Sequence, residues 1–368
     1  MSKASGSRLG LVAAAILVLA VAAIAAACGS SSNASSTSSP AAGGGGGIVG
    51  AGSTFAQPLY EAWAKSFATT SGGAQINYQG VGSTAGISAI EQKTVQFGAT
   101  DAPLTASDLQ AQSLAQFPTA VGGTVVIVNL SGISSGQLKL DGPTLADIYL
   151  GKVTTWNDPA IKNLNPGVNL PATKINVVHR SDGSGTSWIF TSYLSAVSPT
   201  WKSQVGASTT PSWPTGTGGA KSAGVAALVQ QVNGSIGYVE YSYAKQNNIT
   251  TADMKNADGK FVAPSLDGFA AAAKKATWDP TQGFGTAIVN EPGATTWPIT
   301  GATYALMQKD QPDAATAKSV LKFFDYGYKN GASTASSLDY VPMPAKVYNV
   351  VEQQWTTDIT SGGTAVWP

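Results

Sequence analysis

Apolar residues recur at four-residue spacing at Phe55, Leu59, Trp63 and Phe67, which predicts an amphipathic helix over 55–69. Pro58 falls in its first turn, where a missing N–H is tolerated. Residues 75–78 read as a strand, and Gly80-Val-Gly-Ser-Thr-Ala-Gly86 leads into a helix through Ile87 and Ile90. A further strand ends at Phe97-Gly-Ala-Thr-Asp101, and β-branched runs at 124–130 (TVVIVNL) and 174–179 (KINVVH) have the look of buried strands. Trp188, Ile189, Tyr193 and Leu194 mark another helix. Strands alternating with helices across short loops predict an α/β fold with largely parallel sheets. No internal repeat is visible.

The first residues follow a different pattern. Lys3 and Arg8 precede an uncharged, mostly apolar run over 9–27 that ends in Ala25-Ala26-Ala27. A basic start, an apolar stretch and small residues at its end predict a secretory signal peptide over 1–27. Cys28 is the only cysteine of the 368 residues and stands where cleavage would fall. This resembles a bacterial lipoprotein signal, which implies a lipidated Cys28, although Ala25 occupies the usual leucine position. An uncleaved anchor helix is the alternative. Residues 28–47 hold no large apolar side chain before the folded body and read as a flexible tether. The roughly 320 residues that follow are enough for two lobes, held by core packing with no disulfide. Without Lys3 and Arg8 the chain carries 19 basic and 20 acidic residues, a formal charge of −1. A near-neutral body argues against nucleic acid, which requires a basic face.

Arg180 is the only arginine after residue 27, where all other positive side chains are the 18 lysines. A guanidinium differs from an ammonium in its planar fork of donors, which grips an oxyanion bidentately. It opens the string Arg180-Ser-Asp-Gly-Ser-Gly-Thr-Ser187, and similar Gly/Ser/Thr strings at Gly50–Phe55 and Gly82–Thr84 also stand before predicted helices. A helix N-terminus offers unpaired N–H groups and partial positive charge, so three such junctions beside one Arg predict an anion seat. Each junction alone is equally well an ordinary helix cap. Other chemistries fail. Gly80-x-Gly82-x-x-x-Gly86 is one residue too long for a dinucleotide loop, and no phosphate-loop string ending in Gly-Lys-Ser/Thr occurs. The single histidine, His179, should face away from Arg180 on its strand, which leaves no base for a serine hydrolase. One Cys and one His make no Cys/His metal cluster.

Several motifs then fall in order. They are Gly52-Ser-Thr-Phe-Ala-Gln-Pro58, Tyr78-Gln-Gly-Val-Gly-Ser83, Phe97-Gly-Ala-Thr-Asp-Ala-Pro-Leu104, Gln116-Phe-Pro-Thr119, Leu140-Asp-Gly142, Ile148-Tyr-Leu-Gly-Lys-Val-Thr-Thr-Trp-Asn-Asp158, the Arg180 string and Ile236-Gly-Tyr-Val-Glu-Tyr-Ser-Tyr-Ala-Lys-Gln-Asn-Asn248. Trp297-Pro-Ile-Thr300 and Leu321-Lys-Phe-Phe-Asp325 continue the series. Together they closely resemble the phosphate-binding lipoprotein family of the bacterial high-affinity phosphate ABC transporter, from about Gly50 to Thr357. The resemblance implies a two-lobed periplasmic-binding-protein fold of type II, with one lobe from 48–121 plus 300–368 and the other from 125–296. The chain would cross between lobes near Gly122-Gly123 and near Trp297–Gly301.

It also implies the phosphate ligands Thr54, Phe55 (through its backbone N–H), Ser83, Asp101, Arg180, Ser184, Gly185 (backbone) and Thr186. Asp182 is placed either to orient Arg180 or to cap the following helix. His179 stands where some relatives have Arg, at a position that is not a ligand. The implied protein is a monomer, needs no cofactor or metal and is not an enzyme. Its partners would be inorganic phosphate, the permease subunits and a membrane reached through the lipid on Cys28, on the extracytoplasmic face.

Asp101 is the informative member of that set. A carboxylate ~3 Å from an anion is repelled by about 5 kcal/mol at an effective dielectric of ~20. The contact becomes favourable when the anion brings a proton, as phosphate does near neutrality and sulfate does not, so one side chain would admit the first and reject the second. A receptor of the same fold for sulfate or molybdate, and an enzyme acting on phosphate esters, are the readings from other classes.

Overall fold

A computed structural model describes residues 47–368, Ser71 apart. The expected signal peptide, Cys28 and all of the tether but Gly47 lie outside the described residues. Fourteen elements position the site. They are β1 (Ile48–Gly52), α1 (Gln57–Phe67), β2 (Ile76–Gly80), α2 (Ser83–Glu91), β3 (Phe97–Thr100), β4 (Leu114–Asn129), β5 (Asn176–Arg180), α3 (Gly185–Val197), β6 (Thr217–Gly219), α4 (Lys221–Gln231), β7 (Ser235–Glu240), α5 (Tyr241–Gln246), β8 (Ile299–Gln308) and α6 (Ala314–Lys329).

The strands lie in the order β2-β1-β3-β8-β4-β7-β5-β6. β1 pairs in parallel with β2 and β3, and β5 with β6 and β7, whereas β8 is antiparallel to β3 and β4, and β4 to β7. The sheet is therefore mixed, not largely parallel. The reason is that β4 and β8 run long between two halves, each side by side with a strand of opposite direction. β4 changes partner along its length: Leu114–Gly123 pair with β8, and Thr124–Asn129 with β7.

The helix expected over 55–69 is α1, with Pro58 in its first turn. The strand expected at 124–130 is only the second part of β4, which starts ten residues earlier and is buried almost throughout. Pro118 and Gly122-Gly123 hide that first part from a reading of strand propensity. Pro118 is accommodated because the register slips there: Thr303 faces Ala120 while Tyr304 faces Pro118, so the ladder skips Thr119. The two glycines are demanded by packing. A Cβ on Gly122 would stand 2.8 Å from the Phe55 ring, and one on Gly123 2.1 Å from that of Phe269.

Within one continuous hydrophobic core the aromatic rings form two groups. Tyr60 and Trp63 of α1 meet Phe323 and Phe324 of α6 and Phe97 of β3, edge to face at 5–6.5 Å for most pairs. In the other group Phe190 of α3 stacks on Tyr238 of β7 at 4.2 Å. Among the described residues no helix is long and apolar enough to cross a membrane.

Candidate functional site

The site lies where the N-termini of α1, α2 and α3 meet the end of β5. Arg180 closes β5, is 3 % exposed and is held in place by Asp182, which takes Nε at 2.8 Å and Nη2 at 2.5 Å. This bidentate clamp fixes the guanidinium plane and leaves Nη1 free to reach Thr54 Oγ1 at 3.2 Å. Asp182 also accepts the Lys221 N–H at 2.9 Å. Burial pushes the Asp182 carboxyl up, but the bond and charge of Arg180 outweigh that and hold it below the usual carboxylate range. His179, one residue earlier, points to the other face and stacks on Trp213 at 4.8 Å, as strand alternation requires.

Asp101 follows β3 and is 1 % exposed. Ser53 donates to its Oδ1 at 2.5 Å, and Ser83 Oγ accepts its backbone N–H at 3.3 Å. Burial pushes its pKa up to about 6, with Ser53, Thr303 and the Arg180 charge pulling back. The carboxyl is thus an acceptor at neutral pH and a donor in mild acid. Gly185, the first residue of α3, lies against this pair from the other half: an added Cβ would be 2.6 Å from Asp101 Cβ, Asp101 N and Ser83 Oγ.

The remaining expected residues are placed as follows. Ser184 caps α3, its Oγ accepting the Ser187 N–H at 3.1 Å. Thr186 is buried in the first turn of α3, and its hydroxyl has no protein partner. Phe55 is fully buried in the turn before α1, where its carbonyl accepts from Tyr340 at 2.6 Å. Its backbone is the expected contributor, while its ring packs on Tyr340. Thr54, Ser83, Asp101, Arg180 and Gly185 come together around one seat, with Thr186 supplying an unused hydroxyl beside it.

Contacts cross between the halves at several points. Besides Arg180 to Thr54, the Thr84 N–H donates to the Gly183 carbonyl at 3.2 Å. Gly82 has φ +97°, and a Cβ there would lie 2.7 Å from Asp182 Oδ2, so a larger residue would be both strained and obstructed.

Sequence reasoning missed three polar neighbours. Ser53 accepts the Ala56 N–H and donates to Asp101, so it supports the carboxylate and the turn that precedes α1. Ser222 Oγ lies 3.1 Å from Thr54 Oγ1 and 2.7 Å from Oε2 of Glu240. Thr54, Ser222 and Glu240 also line a cavity of about 530 Å³ shared with Glu61, Lys65 and Lys221.

Residues 34–326 match the family described as PBP superfamily domain. The chain is 48 % identical to the phosphate-binding protein PstS of Pasteurella multocida over 321 residues, 87 % of this chain and 93 % of that protein. It is 47 % identical to PstS of Xylella fastidiosa (strain 9a5c), covering 84 % of this chain and 85 % of that one. Solved structures share the fold. A high-affinity periplasmic phosphate-binding protein (PfluDING) bound with phosphate superposes with TM-score 0.70 at 24 % identity, covering 87 % of this chain and 97 % of its own. A phosphate ABC-transporter substrate-binding protein from Clostridium perfringens, also with bound phosphate, gives 0.60 at 19 % identity, with 81 % and 100 % covered.

Proposed function

The chain belongs to the PstS family of phosphate-binding proteins within the PBP superfamily, and we propose that it captures inorganic phosphate between two lobes and delivers it to an ABC-transporter permease. The observation that carries this reading is the pairing of Arg180 with Asp101, both 97 % or more buried around one seat. The guanidinium attracts any oxyanion, and the carboxylate accepts a proton that phosphate brings and sulfate lacks. Ligands would be Thr54, the Phe55 N–H, Ser83, Asp101, Arg180, Ser184, the Gly185 N–H and Thr186, with Asp182 fixing the Arg180 fork. Micromolar binding corresponds to about −8 kcal/mol. A handful of charge-assisted hydrogen bonds at roughly 1.5–3 kcal/mol each suffices for that after the costs of closure.

In this reading the lobes are 48–121 plus 300–368 and 125–296. The partner change of β4 after Gly123 supports a crossing there. Closure of one lobe on the other presents a loaded shape to the permease. The protein binds and releases without a chemical step, on the extracytoplasmic face, tethered by a lipid on Cys28.

Calorimetry with phosphate and sulfate on the wild type and on Asp101→Asn tests the proposal. Tight phosphate binding with no sulfate binding is expected of the wild type, and weakened discrimination of the variant. Sulfate held as tightly as phosphate by the wild type would overturn the reading.

A further inference from the structure

Behind Thr54 lies a line of buried groups that the ligand set does not use. Glu240 ends β7, faces Thr124 at the point where β4 changes partner, and is 1 % exposed. Its Oε1 has no protein hydrogen-bond partner, and its Oε2 lies 2.7 Å from Ser222 Oγ. Ser222, 2 % exposed, is in turn 3.1 Å from Thr54 Oγ1, which receives Arg180 Nη1 at 3.2 Å.

Each hydroxyl in this line owns a single proton, so its direction is set from one end. With Glu240 ionised, Ser222 must donate to the carboxylate. Thr54 must then spend its proton on Ser222, and only its lone pairs remain for an anion. With Glu240 protonated the line reverses. The carboxyl donates to Ser222, Ser222 donates to Thr54, and the Thr54 hydrogen is released toward the ligand. Only the second arrangement puts the Thr54 donor on phosphate.

We infer that Glu240 is a positioning residue for phosphate: its proton, relayed through Ser222, turns the Thr54 hydroxyl toward the bound oxyanion. This deepens the phosphate reading and rests on Thr54 as a ligand. Burial pushes the Glu240 carboxyl up to about 7, while Ser222 and the Arg180 charge pull back and Asp101 adds to the rise. The ionisable groups facing Glu240 are Arg180 from β5, Asp101 after β3, Tyr243 on α5 and Tyr340 from the C-terminal segment. Glu61 and Lys65 of α1 and Lys221 of α4 face it across the cavity. The two tyrosine hydroxyls are raised by burial and stay neutral at the pH values used below.

The test compares phosphate affinity of the full chain with that of Glu240→Gln at pH 5.5 and 9, because the titrations of the ligand and of Asp101 largely cancel in the ratio. The amide never ionises and keeps a donor available to Ser222 at every pH, so the direction of the line no longer follows pH. The ratio of wild-type to variant Kd should therefore rise at least about tenfold between the two pH values. Ser222→Ala keeps the Glu240 charge and cuts the relay, and it should remove the same part of the pH dependence. A ratio that does not change with pH overturns the inference. So does a Ser222→Ala chain that keeps the wild-type profile, since the effect would then be repulsion by the charge alone. If Glu240→Gln does not fold, the Ser222→Ala profile decides by the same criterion. A wild type that binds no phosphate at either pH would overturn the phosphate reading itself and this inference with it.

Discussion

Asp101 shows how one carboxyl acquires two opposite hydrogen-bonding roles. With its pKa pushed up to about 6 by burial, it is ionised above that pH and protonated below it. Ionised, it repels an anion that brings no proton; protonated, it becomes a donor to any oxyanion. The rejection of sulfate is thus present above pH 6 and lost as pH falls through it. Sulfate affinity should rise by up to about tenfold per unit as pH falls toward 6 and level off below it, measured by competition against phosphate. A flat sulfate profile would place discrimination elsewhere. Arg180 and Asp101 were both legible in the sequence, one as a lone guanidinium and the other as the carboxylate in a motif. Ser222 and Glu240 were not. A serine at a helix start and a glutamate among tyrosines look like surface residues until the packing of β7 against β4 buries them.

At the scale of elements, β4 is the member least visible in sequence and most consequential in the fold. Its second part announces itself through TVVIVN, while Pro118 and the glycine pair disguise its first part as a loop. What permits a strand there is tertiary: a skipped residue opposite Thr303 and aromatic rings lying directly over the glycines. Propensity does not register either. Gly123→Ala would bring a methyl group to 2.1 Å from Phe269 Cε1, with the ring confined in a full core. Such overpacking should cost about 1–3 kcal/mol and lower the melting temperature measured by calorimetry. An unchanged melting temperature would mean that Phe269 has room to rotate away. The helices were easier, because their stripes and their Gly/Ser/Thr starts are local signals. Of the expected caps, Ser184 takes that role at α3 and Gly82 stands at the start of α2 without a side-chain bond.

For the whole molecule, the proposed site is assembled from residues of both halves of the sheet. Arg180 meets Thr54, Gly185 lies on Asp101 and Ser83, and Lys245 bridges to Asp339 at 2.8 Å. The last pair is more than half exposed on its lysine and adds at most about 1 kcal/mol. Gly185 matters more. An alanine there would press on backbone and Cβ that have no freedom to retreat, so Gly185→Ala should hold the halves apart. Phosphate affinity should fall about 100-fold, as expected for losing one or two charge-assisted bonds. Small-angle scattering of this variant should show no contraction on adding phosphate; a normal contraction would refute the steric argument. The bond from the Thr84 N–H to the Gly183 carbonyl has a different consequence. Thr84 is the second residue of α2, so its amide has no acceptor within its own helix. Its hydrogen is sheltered from solvent exchange only by a carbonyl across the cleft. In the proposed two-lobed reading, the rate at which deuterium replaces that one hydrogen is a clock for how often the lobes part, and phosphate should slow it while the amides later in α2 keep their pace.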